Sequence, residues 1–407
     1  MNRCVIIGAG HAAAQLAPSL RQYGWTGEIL VIGEEPILPY NRPTLSKEFL
    51  LGKKNEDQLF IRGAGLYEKS DILFLLNTRV EKIDRQNKTL LLDNGDILPY
   101  TKLAITTGAR VRKLSLPGAT LPGVFYLRNL GDSKAIRAAA KPGGTAVVVG
   151  GGYIGLEVAA ALRSLGMKVQ LLEAAERLLS RVTHPLVSAF YNRIHQEEGV
   201  EILTGQKIVG IEQNTAFLQI TTTTEDGLQN SCDLIVVGVG VEPETSLAQA
   251  CGLEVGDGIV VNEYAQTSDP DIVAAGDCTW FPSHLYGYNT RLESVPHATD
   301  QAKSAAAAIC GQQIRYEALP WFWSEQYDVR LQIAGLYQGY DEIVVKGEPA
   351  EGRSFTVWYL RDGKVIAADC VNRPKDFIVA RQLIPMQRRI AAHLLADENY
   401  DLRAEMK

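Results

Sequence analysis

One arrangement of apolar and polar positions occurs twice along the chain. The first copy is the apolar run Cys4-Val5-Ile6-Ile7, the cluster Gly8-Ala9-Gly10, an alanine-rich helical stretch to about Tyr23, the run Ile29-Leu30-Val31-Ile32, and Glu34. The second is Ala146-Val147-Val148-Val149, then Gly150-Gly151-Gly152, a helical stretch to about Leu165, then Val169-Gln170-Leu171-Leu172 and Glu173. Strands covered by helices on both faces read as continuous apolar runs, so each copy predicts a parallel βαβ unit. Two such units, with 142 residues between Gly8 and Gly150, predict two dinucleotide-binding domains.

Between and after them the period changes. Residues 79–98 read as short strands with a turn at Asn94-Gly95, and 103–107 as a further strand ending at Gly108. Residues 207–239 read as strands again, at 217–223 and 234–237, with a turn near Asp226-Gly227. The segment 259–277 reads as a return to the first domain. Further on, 330–345 and 354–371 are strand-like, with Asp362-Gly363 as a hairpin turn, and 375–395 has a helical pattern. This last region is rich in aromatics: Trp321, Trp323, Tyr327, Tyr337, Tyr340, Trp358 and Tyr359. The predicted fold is α/β: two Rossmann-like domains of glutathione-reductase type and a C-terminal α+β domain. The expected boundaries are 1–112 with 242–318 for the first domain, 113–241 for the second and 319–407 for the third.

Composition narrows the function classes. The formal charge of -6 argues against general nucleic-acid binding. Six cysteines, at 4, 232, 251, 278, 310 and 370, form no close pair, which argues against a disulfide framework or a cysteine metal site and for buried thiols in a reducing compartment. The N-terminal apolar run is too short for a signal peptide, and glutamate and glycines interrupt the stretch 146–162, so no membrane span is expected. The expected location is the cytoplasm.

The glycine clusters carry the chemistry. Gly8, Gly10 and Ala13 fit the G-x-G-x-x-G/A pattern: a tight turn, close backbone approach to a pyrophosphate, and close helix–strand packing. The pyrophosphate then meets the free N–H groups of a helix N-terminus. Glu34, 26 residues after Gly8, is placed to accept from ribose hydroxyls. Gly150, Gly152 and Gly155 give the full pattern, with Glu173 at 23 residues. A carboxylate there binds a ribose 2′-OH and repels a 2′-phosphate, which favours NADH over NADPH. Arg177, four residues on, offers a competing phosphate contact. Two such sites in one chain imply transfer between two dinucleotides, and flavin first and nicotinamide second is the common arrangement.

Together with the stretches 38–47, 267–270, 276–278, 293–296 and 320–324, these motifs make the chain resemble the FAD-dependent ferredoxin reductases. These belong to the putidaredoxin-reductase and Rieske-dioxygenase-reductase type of two-dinucleotide-binding flavoproteins, and the likeness runs from Val5 to about Phe377. The resemblance implies that Lys47 lies by flavin N5 and pairs with Glu157, where a positive charge favours electron uptake by the flavin. It puts Ala12, Glu34, Arg42, Val80, Arg128, Asp277 and Val295 on FAD, gives Trp323 a flavin contact, and sets Gly240 in a stretch beside the nicotinamide. It also implies a hydride transfer from NADH to FAD and single-electron delivery to a [2Fe-2S] ferredoxin that serves a cytochrome monooxygenase or Rieske dioxygenase. The expected state is a monomer or weak homodimer that docks the ferredoxin transiently by electrostatics. Arg291, Arg330, Arg373, Lys375, Arg388 and Arg389 are candidates for that docking.

Rubredoxin reductase and monodehydroascorbate reductase are rivals on the same scaffold. A redox-sensing interaction protein similar to apoptosis-inducing factor is the rival from another class. Related disulfide reductases carry cysteines where this chain has 38–45, so electrons are expected to leave the flavin without a dithiol relay. His184, His195, His297 and His393 read as structural or surface residues.

Overall fold

A computed structural model describes residues 2–213, 217–222 and 229–406. The chain packs as two units: Met1–Asn41, Glu56–Arg110 and Glu242–Pro320 form the first, and Arg42–Asn55, Val111–Val241 and Trp321–Lys407 the second.

The first unit is built on a five-stranded parallel sheet in the order Ile272–Ala274, Lys102–Ile105, Arg3–Ile7, Glu28–Ile32, Ile72–Leu75. From the segment 259–277, the strand Ile272–Ala274 joins this sheet beside Lys102–Ile105. Helices His11–Gln22 and Val295–Ile309 pack together through small side chains: Ala13, Ala17, Ala302, Ala305 and Ala306 are all buried in one core cluster. Alanine allows that close approach, and the apolar strands beneath supply the larger burial, about 1.5–3 kcal/mol for each fully buried valine, leucine or isoleucine. The expected strands in 79–98 are Val80–Asp84, Thr89–Leu92 and Ile97–Pro99, an antiparallel sheet.

The second unit repeats the parallel sheet in the order Val200–Leu203, Lys168–Leu172, Thr145–Val149, Leu234–Val237, Val124–Tyr126. It also holds the antiparallel strands Ile208–Gln213, Leu218–Thr222 and Gln229–Cys232. The turn expected near Asp226-Gly227 lies outside the described residues. The C-terminal part is a five-stranded antiparallel sheet in the order Trp321–Gln326, Val329–Gly335, Lys364–Val371, Phe355–Arg361, Glu342–Gly347. Asp362 and Gly363 both have positive φ, at 52° and 72°, as a tight hairpin needs.

Three readings of the sequence change. The stretch 330–345 is two strands, because the chain leaves the sheet at Gly335, with φ 77°. The helical pattern 375–395 is two helices, Pro374–Met386 and Ala392–Ala396, because Gln387 takes a left-handed φ of 53°. Residues Arg42–Asn55, contiguous with the first domain in sequence, pack in the second unit. Ser133 Oγ donates to Leu45 O at 2.7 Å, Arg137 Nη1 donates to Phe49 O at 3.2 Å, and the Arg137 guanidinium lies 5.1 Å from the centre of the buried Phe49 ring.

Candidate active site

The two glycine turns are built alike. Gly8 has φ 100° and its N–H donates to Ile32 O at 2.8 Å; a Cβ there would stand 2.4 Å from Thr106 O. Gly150 has φ 105° and its N–H donates to Leu172 O at 2.8 Å; a Cβ there would stand 2.4 Å from Gly238 O. Only glycine suits either place. The third positions follow the same logic. Ala13 is buried, and a Cβ at Gly155 would stand 2.0 Å from Gly150 O.

The middle glycines differ from their neighbours. Gly10 and Gly152 are the N-caps of helices His11–Gln22 and Tyr153–Ser164, with no side-chain cap and no acid in the first turn. A Cβ at either would meet nothing within 4 Å. Each turn therefore presents uncapped N–H groups and a dipole end to open space, which fits a pyrophosphate. On this observation the residues suit a dinucleotide in each unit.

In the first unit, a Cβ at Gly276 would lie 3.4 Å from Ala12 Cβ and 3.6 Å from Ala298 Cβ. The half-buried Asp277 and Val295, the first residue of Val295–Ile309, are thereby brought to the helix that carries Ala12. Val80 begins its strand and is buried. Glu34 is exposed, with Arg79 Nε 3.5 Å from its carboxylate. Arg42, Lys47, Arg128 and Trp323 belong to the second unit instead.

There the structure brings together residues from three parts of the chain. Lys47 Nζ lies 2.6 Å from Glu157 Oε2, with both side chains largely buried, and also donates to Pro43 O at 3.1 Å. Ser46 Oγ donates to the same Oε2 at 2.6 Å, and Ser324 Oγ donates to Oε1 at 2.6 Å. Arg42 Nη1 donates to Arg128 O at 2.8 Å, and the Arg128 N–H donates to Asp132 Oδ2 at 2.8 Å. No role for Ser46 or Ser324 is legible in the sequence, although both lie inside its motifs. Trp323 is half-buried, and its ring lies 5.5 Å, centre to centre and tilted, from that of Trp321. Strand alternation puts it on the face opposite Ser324.

Glu173 is engaged by backbone: Oε2 accepts from the Gly151 N–H at 2.6 Å and Oε1 from the Ala175 N–H at 2.7 Å. It shapes the glycine turn it was expected to serve. Arg177 is not available to a phosphate, since it donates to Ser180 O, Thr183 O and Ser188 Oγ at 2.6 to 3.1 Å. Gly240, with φ 105°, accepts at its carbonyl from the Arg112 N–H at 3.0 Å, and a Cβ there would lie 3.5 Å from Arg181 Nη2.

A second buried polar group went unread in the sequence. Asp369 accepts from Thr183 Oγ1 and from Tyr359 Oη, the latter at 2.6 Å. Burial raises its pKa to about 6, against the two hydrogen bonds. Burial also lowers His195 and His297 to about 4, so both are neutral inside the fold. Of the basic docking candidates, Arg291 is held by Glu293, Arg330 Nε lies 3.3 Å from Glu325 and Arg373 Nη2 lies 2.6 Å from Glu398. That leaves Lys375, Arg388 and Arg389. All six cysteines are unpaired, with four buried and Cys251 and Cys310 half-buried.

The paired parallel sheets, duplicated glycine turns and buried lysine–glutamate pair define a two-dinucleotide oxidoreductase. The chain belongs to the pyridine nucleotide-disulphide oxidoreductase family, whose model matches residues 2–302, and a reductase C-terminal model matches 321–406. It is 42% identical over 406 residues to putidaredoxin reductase of Pseudomonas putida, covering 99% of this chain and 96% of that one. It is 40% identical to the ferredoxin–NAD(+) reductase component of the anthranilate 1,2-dioxygenase system of Burkholderia cepacia, with 98% of each covered. The crystal structure of the covalent putidaredoxin reductase–putidaredoxin complex superposes with a TM-score of 0.94 at 41% identity, covering 99% of this chain and 97% of that one. No described helix is long and apolar enough to cross a membrane.

Proposed function

We propose that this protein oxidises NADH and delivers electrons one at a time to a [2Fe-2S] ferredoxin that serves an oxygenase. The carrying observation is the pair of open, uncapped glycine turns, one per unit, at Gly10 and Gly152. Bound FAD supplies a two-electron acceptor that can release its electrons singly. The balance is one NADH and two oxidised ferredoxins in, one NAD+, two reduced ferredoxins and one proton out.

The chain's own task is to bind and orient. The turn at Gly8 and Gly10, with Glu34, Val80, Asp277 and Val295, takes FAD. The turn at Gly150, Gly152 and Gly155 takes NADH, with Gly240 beside the nicotinamide. Glu173 stands where a 2′-phosphate would carry like charge, and Arg177 is already engaged, which supports NADH over NADPH. Lys47, held by Glu157, puts a fixed positive charge at the flavin. Arg42, Arg128 and Trp323 add flavin contacts. No cysteine lies at 38–45, so no dithiol intervenes. The names of the relatives support the acceptor class, and the unpaired thiols support a cytoplasmic setting.

The test is anaerobic titration of the purified yellow protein with NADH, followed by mixing with a [2Fe-2S] ferredoxin, a rubredoxin or ascorbate radical. Bleaching by NADH and fastest reoxidation by the ferredoxin is the expected result. A flavin that stays oxidised would end the reading. Faster reoxidation by rubredoxin or ascorbate radical would move the protein to a neighbouring reductase class, and NADH-driven dimerisation without ferredoxin reduction would move it to the interaction proteins.

A further inference from the structure

Glu157 has a second connection, leading away from Lys47. Along the strand Trp321–Gln326, alternation turns Phe322, Ser324 and Gln326 to one face; the Phe322 ring lies 4.7 Å, centre to centre and tilted, from that of Tyr153 on the helix that carries Glu157. Ser324, Gln326 and His195 are all buried, His195 reaching in from helix Pro185–Glu197. Four contacts join them in line. Ser324 Oγ lies 2.6 Å from Glu157 Oε1, and Gln326 Nε2 lies 3.1 Å from Ser324 Oγ. His195 Nε2 lies 2.7 Å from Gln326 Oε1, and the Tyr327 hydroxyl lies 3.4 Å from His195 Nδ1.

Each role in this line is forced by the one before. A carboxylate only accepts, so Ser324 donates its proton to Glu157. The Ser324 oxygen then accepts from the Gln326 amide N–H. That fixes the amide orientation, so Gln326 Oε1 faces His195 and His195 carries its proton on Nε2. Its Nδ1 is left to accept from Tyr327. Burial keeps His195 neutral, so both ring nitrogens have single roles. Every donor hydrogen points toward Glu157.

We propose that Ser324, Gln326 and His195 are positioning residues for the Lys47–Glu157 pair: a one-way line of buried donors that aims the Glu157 carboxylate and raises the positive potential at Lys47. The C-terminal sheet thus sets the electron affinity of the site through hydrogen bonds and not through contact alone. The functional consequence rests on the reading that Lys47 serves the flavin. The line itself is independent of that reading. Such lines act as units, so their members are coupled and not additive.

The test uses the oxidised, FAD-loaded protein and four variants: Ser324→Ala, Ser324→Thr, Gln326→Leu and the Ala/Leu double variant. Two readouts need no turnover, the His195 tautomer by 15N NMR and the midpoint potential of the bound flavin. We expect the Nε2-protonated tautomer in the parent. Ser324→Ala and Gln326→Leu should each lower the potential. The double variant should match the larger single effect, and Ser324→Thr should restore the parent value. Reduction by NADH should slow roughly three- to tenfold with NAD+ affinity unchanged, which is about 0.7–1.4 kcal/mol. A proton on Nδ1, a Gln326→Leu variant with the parent's potential, or effects that simply add would each overturn the proposal. Failure of NADH to bleach the parent flavin would defeat the proposed function but leave the tautomer readout standing.

Discussion

Lys47 and Glu157 meet at 2.6 Å inside the second unit, and the glutamate also accepts two serine hydroxyls from opposite ends of the chain. Removing the lysine would leave a buried carboxylate with only neutral partners. Lys47→Met should therefore lower stability by about 3 kcal/mol and slow flavin reduction by NADH about tenfold or more, with a smaller change in NADH affinity. Stopped-flow reduction at the parent's rate would remove Lys47 from the site.

The glycines separate into those the fold needs and those a ligand needs. Gly155→Ala puts a methyl 2.0 Å from a backbone oxygen and should disrupt folding. Gly10→Ala and Gly152→Ala enter open space. Both should fold, with Gly10→Ala weakening FAD retention and Gly152→Ala raising the KM for NADH. Flavin content and KM measured on the three proteins check this division.

Glu173 couples nucleotide choice to loop shape, because its carboxylate holds the Gly151 and Ala175 N–H groups. Glu173→Ala should raise the KM for NADH and also narrow the NADH over NADPH ratio, each tenfold being about 1.4 kcal/mol. An unchanged ratio would contradict the ribose assignment.

Much of this was legible in the chain itself. The glycine turns and their strands are local patterns, and both parallel sheets appear where the apolar runs lie. Gly363 and Asp362 make the hairpin their dipeptide announces. What stayed hidden is non-local. Ser46 and Ser324 reach Glu157 across 111 and 167 residues, and no spacing encodes that. Asp369 looks like any strand residue until Thr183 and Tyr359 surround it. Arg177 looks free for a phosphate until the loop folds back over it. The Lys47–Glu157 pairing came from family resemblance, not from spacing.

Asp369 makes stability depend on pH. Its folded pKa of about 6 lies above the ordinary 3.8. The folded state therefore keeps a proton that the unfolded state gives up, and the stability this proton lends is full below 3.8 and lost as pH rises through 6. A difference of about two pKa units is worth about 3 kcal/mol. Relative to Asp369→Asn, the parent should be more stable at pH 4 than at pH 7.5 by about that amount. Urea unfolding of both proteins at the two pH values checks the sign, and a pH-independent difference would refute it.

The cysteines should prove chemically quiet. Burial raises the thiol pKa of Cys232 to about 12 and of Cys278 to about 11. In the folded protein an alkylating reagent should reach at most the half-buried Cys251 and Cys310, and ferredoxin reduction should survive it. Complete loss of activity would revive a thiol relay.

The chain passes from one unit to the other five times, after residues 41, 55, 110, 241 and 320. Neither unit is therefore a continuous stretch of the gene. During synthesis the first cannot close until residue 320 has emerged, and the second still lacks its five-stranded C-terminal sheet at that moment. No single cut of the coding sequence separates two autonomous pieces, so shuffling one nucleotide site onto another partner would need several splices made together.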